Sequence, residues 1–157
     1  MDIGSDWQET AKRNSVWDYC IKVIIDKILD ERARNIRGRK FPDATRSLSP
    51  FAVADKRIIY MPDWYESCFE PHEFEWIVFH EVDHIVYNHK YENRLEEDYC
   101  ADEYAVRLQC RIGFGVCALT KISDMGMRRV MISTGERRIN TEIQLRINRL
   151  RGLGLPY

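Results

Sequence analysis

Apolar positions recur at helical spacing over most of this chain and at strand spacing in one place. Trp17, Cys20 or Ile21, Ile24 and Ile28 fall three and four apart and predict an amphipathic helix over 16–34. A shorter helix is expected before it, since Ser5 with Gln8 reads as a capping box and Asn14-Ser15 marks a break. Pro42, Ser47, Ser49 and Pro50 form a loop. Phe51-Ala52-Val53-Ala54 and Arg57-Ile58-Ile59-Tyr60-Met61 then flank Asp55-Lys56 as a hairpin, the only β-structure the pattern predicts. Pro71 suits the first turn of a further helix, whose apolar positions Phe74, Ile77, Val78, Ile85 and Val86 carry it to about Asn88. A turn near Tyr91-Glu92-Asn93 leads into an acidic helix that continues through Val106, Leu108 and Cys110. After Gly113 and Gly115, a helix is predicted over 116–124 with Gly126 ending it. A last one is predicted from an N-cap at Thr141 through Ile143, Ile147 and Leu150 to Arg151, before Gly152 and Gly154. No internal repeat interrupts this order. The expected fold class is α+β, mainly helical, with a small sheet beside the helix that opens at Pro71.

Composition narrows the classes of function. A chain of 157 residues with 45% hydrophobic and 31% charged content is expected to form one domain, with a helical region over 1–45 and a core over 50–151. Lys and Arg number 24 against 25 Asp and Glu, so no field of either sign favours nucleic acid or a membrane surface. Arg32, Arg34, Arg37, Arg39 and Lys40 cluster where the first long helix is expected to end. They read as cations at a helix C-terminus rather than as a phosphate site. Met1 to Asp6 lack a basic region followed by an apolar one, and no apolar run reaches the length of a membrane span. A soluble, cytoplasmic protein without stable membrane insertion is therefore expected. Five cysteines without a Cys-x-x-Cys pair read as reduced thiols, most of them small core residues.

The chemistry is concentrated in His80-Glu81-Val82-Asp83-His84. Residues four apart share a helix face, so two imidazoles can reach one metal ion, while Glu81, about 100° round the helix, borders an open coordination position. In such a site zinc lowers the pKa of its water to about 7, and the glutamate carries a proton from that water to the leaving amine. A third ligand is needed on a neighbouring element, and the acidic helix supplies candidates. If the two helices form an antiparallel hairpin, Asp98 comes opposite His84 along the axes. Asp98, Ala101, Asp102 and Ala105 share one face, so Asp98 is expected as the ligand. Asp102, one turn on, is expected to hydrogen-bond a ligand imidazole. His89, five residues beyond His84, is expected to point away from the histidine face, as a supporting or surface residue.

His80-Glu81-x-x-His84-x-x-x-x-His89 followed by Asp98-x-x-Ala101-Asp102-x-x-Ala105 resembles the gluzincin peptidases of the CAAX prenyl protease and HtpX family and their short soluble relatives, the minigluzincins. Their pattern is His-Glu-x-x-His, often with a further His, then Glu-x-x-Ala-Asp. Arg57 to Pro62 stands where that family has an edge strand, and Arg146-Ile147-x-x-Leu150 matches its C-terminal Arg-Ile-x-x-Leu, so the likeness spans about residues 50–151. The chain departs from the pattern at Asp98, where the family has glutamate, and at Asn140-Thr141, where it has His-Pro. The shorter Asp98 implies a closer approach of the helices, an intervening water, or coordination by the adjacent Glu97 instead, although Glu97 lies about 100° off the face shared with Asp102.

The resemblance implies a zincin-like fold, Zn2+ as cofactor and endopeptidase activity on a peptide or protein substrate. It also implies that the backbone of Arg57 to Met61 pairs with an extended substrate as an added strand, and that Arg146 stabilises the transition state. Two other classes fit the same residues: a zinc-binding regulatory or adaptor module without turnover, and a regulatory protease of the ImmA type with one dedicated protein target. Glu81 favours an enzyme, because a structural zinc prefers four protein ligands and has no use for a base beside the first histidine. Oligomeric state is not legible in the residues.

Overall fold

The computed structural model describes residues 18–129 and 134–157, with side chains for all of these except 127–129 and 134–140. The Ser5–Gln8 capping box, the Asn14-Ser15 break and the first two positions of the predicted 16–34 helix lie outside the described residues. Among those described, the fold is α+β, with five α-helices and one three-stranded sheet, and no helix is long and apolar enough to cross a membrane. The chain divides into two compact units: residues 18–68 with 81–89, and residues 69–80 with 90–157.

In the first unit, helix α1 (Tyr19–Asp26) starts at Asp18, whose carboxylate accepts from the Ile21 N–H at 3.0 Å, and it buries Ile21 and Ile25. The helix is much shorter than the predicted 16–34. Lys27 closes it, and Asp30 then accepts from the Arg32 N–H and starts a separate 3-10 turn, Glu31–Ala33. A side chain that bonds the backbone two residues on competes with the helical ladder. The basic run that follows, expected as the end of that helix, is a strand: β1 (Arg37–Phe41) buries Gly38 and Phe41. Its Arg and Lys side chains conceal the strand from composition, since neither type favours sheet.

The predicted hairpin is present as β2 (Phe51–Val53) and β3 (Ile58–Pro62), with Arg57 at φ 55 closing the turn. Strand order is β1-β3-β2, β1 parallel and β2 antiparallel to β3, in the registers Arg37↔Ile58 and Phe51↔Tyr60. The stretch that the family resemblance casts as a substrate-pairing edge is therefore the central strand. Both its sides are already paired, and the outer edges of the sheet belong to β1 and β2. On β1, the Gly38 carbonyl accepts from the Asp18 N–H at 2.9 Å.

Two contacts fix this unit. A Cβ at Gly38 would lie 2.2 Å from Ile21 Cγ2, so only glycine lets α1 lie this close on β1. Asp43, buried in the loop after β1, accepts from the Leu48 N–H at 2.9 Å, the Trp64 indole at 3.0 Å and the Thr45 hydroxyl at 2.9 Å. Burial pushes its pKa up, but these donors outweigh burial and hold the carboxyl below its ordinary 3.8.

In the second unit, α2 (Pro71–Val86) begins at Pro71 as predicted and continues into the first. Helix α3 (Arg94–Gln109) is the predicted acidic helix, ended by Cys110 in the left-handed region at φ 58. Helices α4 (Gly113–Arg129) and α5 (Thr134–Arg151) pack on α3 and on each other. Both are longer than predicted. Gly113 opens α4, and Gly126 lies within it with open space at its Cβ position, so it has no terminating role. Thr141 is interior to α5 rather than its N-cap. Ile143, Ile147 and Leu150 are buried as expected. The cysteines do not meet expectation: none is buried, with Cys20, Cys110 and Cys117 exposed and Cys68 and Cys100 half-buried.

Two measurements check this account of the first unit. Gly38→Ala is expected to destabilise the protein by about 1–3 kcal/mol through overpacking on Ile21, read from the urea midpoint. Asp43→Asn is expected to cost about 1.5–3 kcal/mol at neutral pH. Because the folded pKa lies below the unfolded one, the Asp43 contribution is complete above about pH 4 and is lost as pH falls through the folded value, so the two proteins should converge in stability in acid.

Candidate metal centre

The five-residue segment His80-Glu81-Val82-Asp83-His84 lies in the second half of α2, and all five side chains are buried. Four of the five are polar, in a helix whose other buried positions are Glu73, Phe74, Trp76, Ile77, Val78, Phe79 and Ile85. Such groups persist inside a protein only with partners.

His80 has a carboxylate at each ring nitrogen, both from α3. Its Nδ1 is 2.7 Å from Asp102 Oδ1, and its Nε2 is 3.4 Å from Asp98 Oδ1. Asp102 is 1% exposed and acceptor-only, so Nδ1 carries a proton toward it, and Nε2 faces Asp98. Donors at 2.0–2.1 Å around a tetrahedral zinc stand about 3.3–3.4 Å apart, which is the His80–Asp98 spacing. His84 lies one turn further along the same continuous helix as His80. The donor set, two imidazoles and a carboxylate, suits zinc chemically.

Asp102 is held from behind by α5. Arg146 donates from Nε to Oδ2 and from Nη2 to Oδ1, each at 2.8 Å, in a two-pronged pair. Burial raises the Asp102 pKa, but the Arg146 charge, its two hydrogen bonds and the His80 contact outweigh burial and hold the carboxyl below its ordinary value. Arg146 Nη1 lies 3.8 Å from Asp98 Oδ2. The guanidinium, expected from the resemblance to face a substrate carbonyl, is thus built into the carboxylates that flank His80. Ala101 and Ala105, on the same α3 face as Asp98 and Asp102, are fully buried.

Glu97, the alternative ligand, turns to the start of its own helix. Its Oε2 is 3.0 Å from the Tyr91 N–H and its Oε1 is 3.4 Å from the Asn93 N–H. His84 Nδ1 and His89 Nδ1 are 2.8 Å apart, a hydrogen bond.

His89 is the residue whose position the spacing misjudged. The backbone turns at Asn88, at φ 50, where the Asn88 N–H bonds Ile85 O at 3.1 Å and the His89 N–H bonds His84 O at 2.9 Å. This pair of bonds is a Schellman end, which folds the following residue back over the last turn. His89 consequently meets His84 instead of continuing round the helix. Its Nδ1 is also 3.8 Å from Asp83 Oδ2, a carboxylate with no exposed surface. The available signal was Asn88, a residue type that favours the left-handed position after a helix.

Comparison of the chain with family models, with curated proteins and with solved structures finds no match.

Arg146→Leu should leave Asp102 buried without its cation and destabilise the protein by about 3–5 kcal/mol. The double change Arg146→Leu with Asp102→Asn should recover part of that loss, since no uncompensated charge remains. Urea unfolding of the three proteins checks both expectations.

Proposed function

We propose that this protein is a zinc-dependent metalloendopeptidase of zincin type, holding the metal with His80, His84 and Asp98 and using Glu81 as its general base and acid. The observation that supports this most strongly is the pairing of His80 Nδ1 with a buried carboxylate while its Nε2 stands at tetrahedral-edge distance from Asp98. A neutral imidazole has one N–H and one lone pair to satisfy, and here both flanking groups are acceptor-only carboxylates, so on this reading a cation between Nε2 and Asp98 completes the set.

When bound, zinc supplies Lewis acidity to a water and to the carbonyl oxygen of the scissile peptide. The residues of the chain do the remaining work. The Glu81 carboxylate takes one proton as the water oxygen bonds to the carbonyl carbon, and it delivers that proton to the amide nitrogen as the C–N bond breaks. Asp102 keeps His80 in the Nδ1–H tautomer throughout, and Arg146 keeps Asp102 ionised and in place. Burial of Glu81 and the two histidines limits water around the reacting atoms.

Elemental analysis of wild type and Asp98→Ala, paired with cleavage of unfolded casein by wild type and Glu81→Gln, tests the proposal. One zinc per chain, lost in Asp98→Ala, is expected, together with a fall of about 100- to 10,000-fold in cleavage by metal-loaded Glu81→Gln. A wild type purified without chelators that carries no zinc overturns the metal assignment. Zinc without cleavage, or cleavage that survives Glu81→Gln, overturns the assigned chemistry and returns the site to a binding module or a protease with one dedicated target.

A further inference from the structure

The two histidines of the proposed centre are backed by different groups. His80 has a carboxylate behind it, whereas behind His84 stands another imidazole, His89, with Nδ1 facing Nδ1 at 2.8 Å. Two neutral imidazoles in this arrangement share one proton between the facing nitrogens, so one ring donates and the other accepts. If His89 donated, His84 would carry its proton on Nε2 and have no lone pair there for a metal. If His84 donates, its Nε2 keeps the lone pair that a metal ion would need. We propose that His89 is a positioning residue for His84, accepting the His84 Nδ1–H and so selecting the tautomer that can ligate through Nε2. This rests on the reading of His84 as a metal ligand.

The local fold is built to hold that acceptor. Asn88 in the left-handed region and the bond from the His89 N–H to the His84 carbonyl at 2.9 Å fix His89 by its backbone to the residue that its ring supports. Backbone and side chain of the same two residues are thereby joined twice. The His89 ring also stacks on Tyr87, with centroids 6.0 Å apart at 17°, while Asp83 Oδ2, 3.8 Å from the same Nδ1 that meets His84, is beyond hydrogen-bond reach of it. Its side chain is 13% exposed, too enclosed for a surface histidine. Partners that orient a ligating imidazole typically contribute about 10- to 100-fold to metal affinity.

The test uses the full chain with His89→Leu, which removes the acceptor, and His89→Asn, whose side-chain oxygen can accept in its place. Zinc affinity is measured by competition with a chromophoric chelator, and the His84 tautomer is read from long-range 1H–15N correlations of the metal-free wild type. The expected results are His84 protonated on Nδ1, zinc binding weakened about 10- to 100-fold in His89→Leu, and most of that loss restored in His89→Asn. A wild type with His84 protonated on Nε2, or a His89→Leu protein that binds zinc as tightly as wild type, overturns the proposal. If His89→Leu does not fold, the wild-type tautomer still decides it. A wild type that takes up no zinc overturns the metal assignment itself, and the tautomer, read without metal, separates that failure from a misassigned His89.

Discussion

A carboxylate with almost no exposed surface, Asp102, is the constraint on which the second unit depends. Burying a charge costs several kcal/mol unless it is paired and hydrogen-bonded, and here three bonds meet that cost: two from Arg146 on α5 and one from His80 on α2. Asp102 therefore ties α2, α3 and α5 together at one point. A hydrophobic triad of the same volume would hold those helices at least as well, so stability alone does not account for the ions. Orientation does. The carboxylate fixes the His80 proton on Nδ1, and the fork geometry of Arg146 fixes the carboxylate.

The parts of this arrangement visible in the sequence are those governed by a single helix. His80 and His84 at i, i+4, and Asp98, Ala101, Asp102 and Ala105 at i, i+3, i+4, occupy the faces that helical geometry assigns them, because within a helix spacing determines direction. The turn at Asp55-Lys56 and the start of α2 at Pro71 were legible for a similar reason, since each rests on local backbone chemistry. Strand β1 was not legible, because Arg37 to Phe41 reads as a helix end, and only pairing with β3 and the close fit of Gly38 against Ile21 make it a strand. The extents of α4 and α5 escaped for the opposite reason. Gly126 and Thr141 resemble terminal signals, but neither is at a terminus, and a weak local preference yields to the packing of a long helix.

His89 and Arg146 show a subtler failure. Helical spacing sends His89 away from His84, and this is correct only while the helix lasts. One residue in the left-handed region, Asn88, reverses the chain and turns an i+5 separation into a direct contact. For Arg146, the match to a family pattern located the residue but not its partner. Its guanidinium makes two hydrogen bonds to Asp102 and stands 3.8 Å from Asp98 Oδ2.

Charge balance bears on what the site is built to hold. Asp98 and Asp102 bring two formal negative charges to His80, and Arg146 returns one positive charge, leaving one negative charge beside the imidazole. On the reading proposed above, a divalent cation held by His80 and Asp98 would offset that charge and give the His80 Nε2 a partner. Arg146 stands behind Asp102, where its two hydrogen bonds hold the supporting carboxylate. Its Nη1, 3.8 Å from Asp98 Oδ2, offsets part of the charge of that second carboxylate as well, so that one guanidinium serves both groups that flank His80.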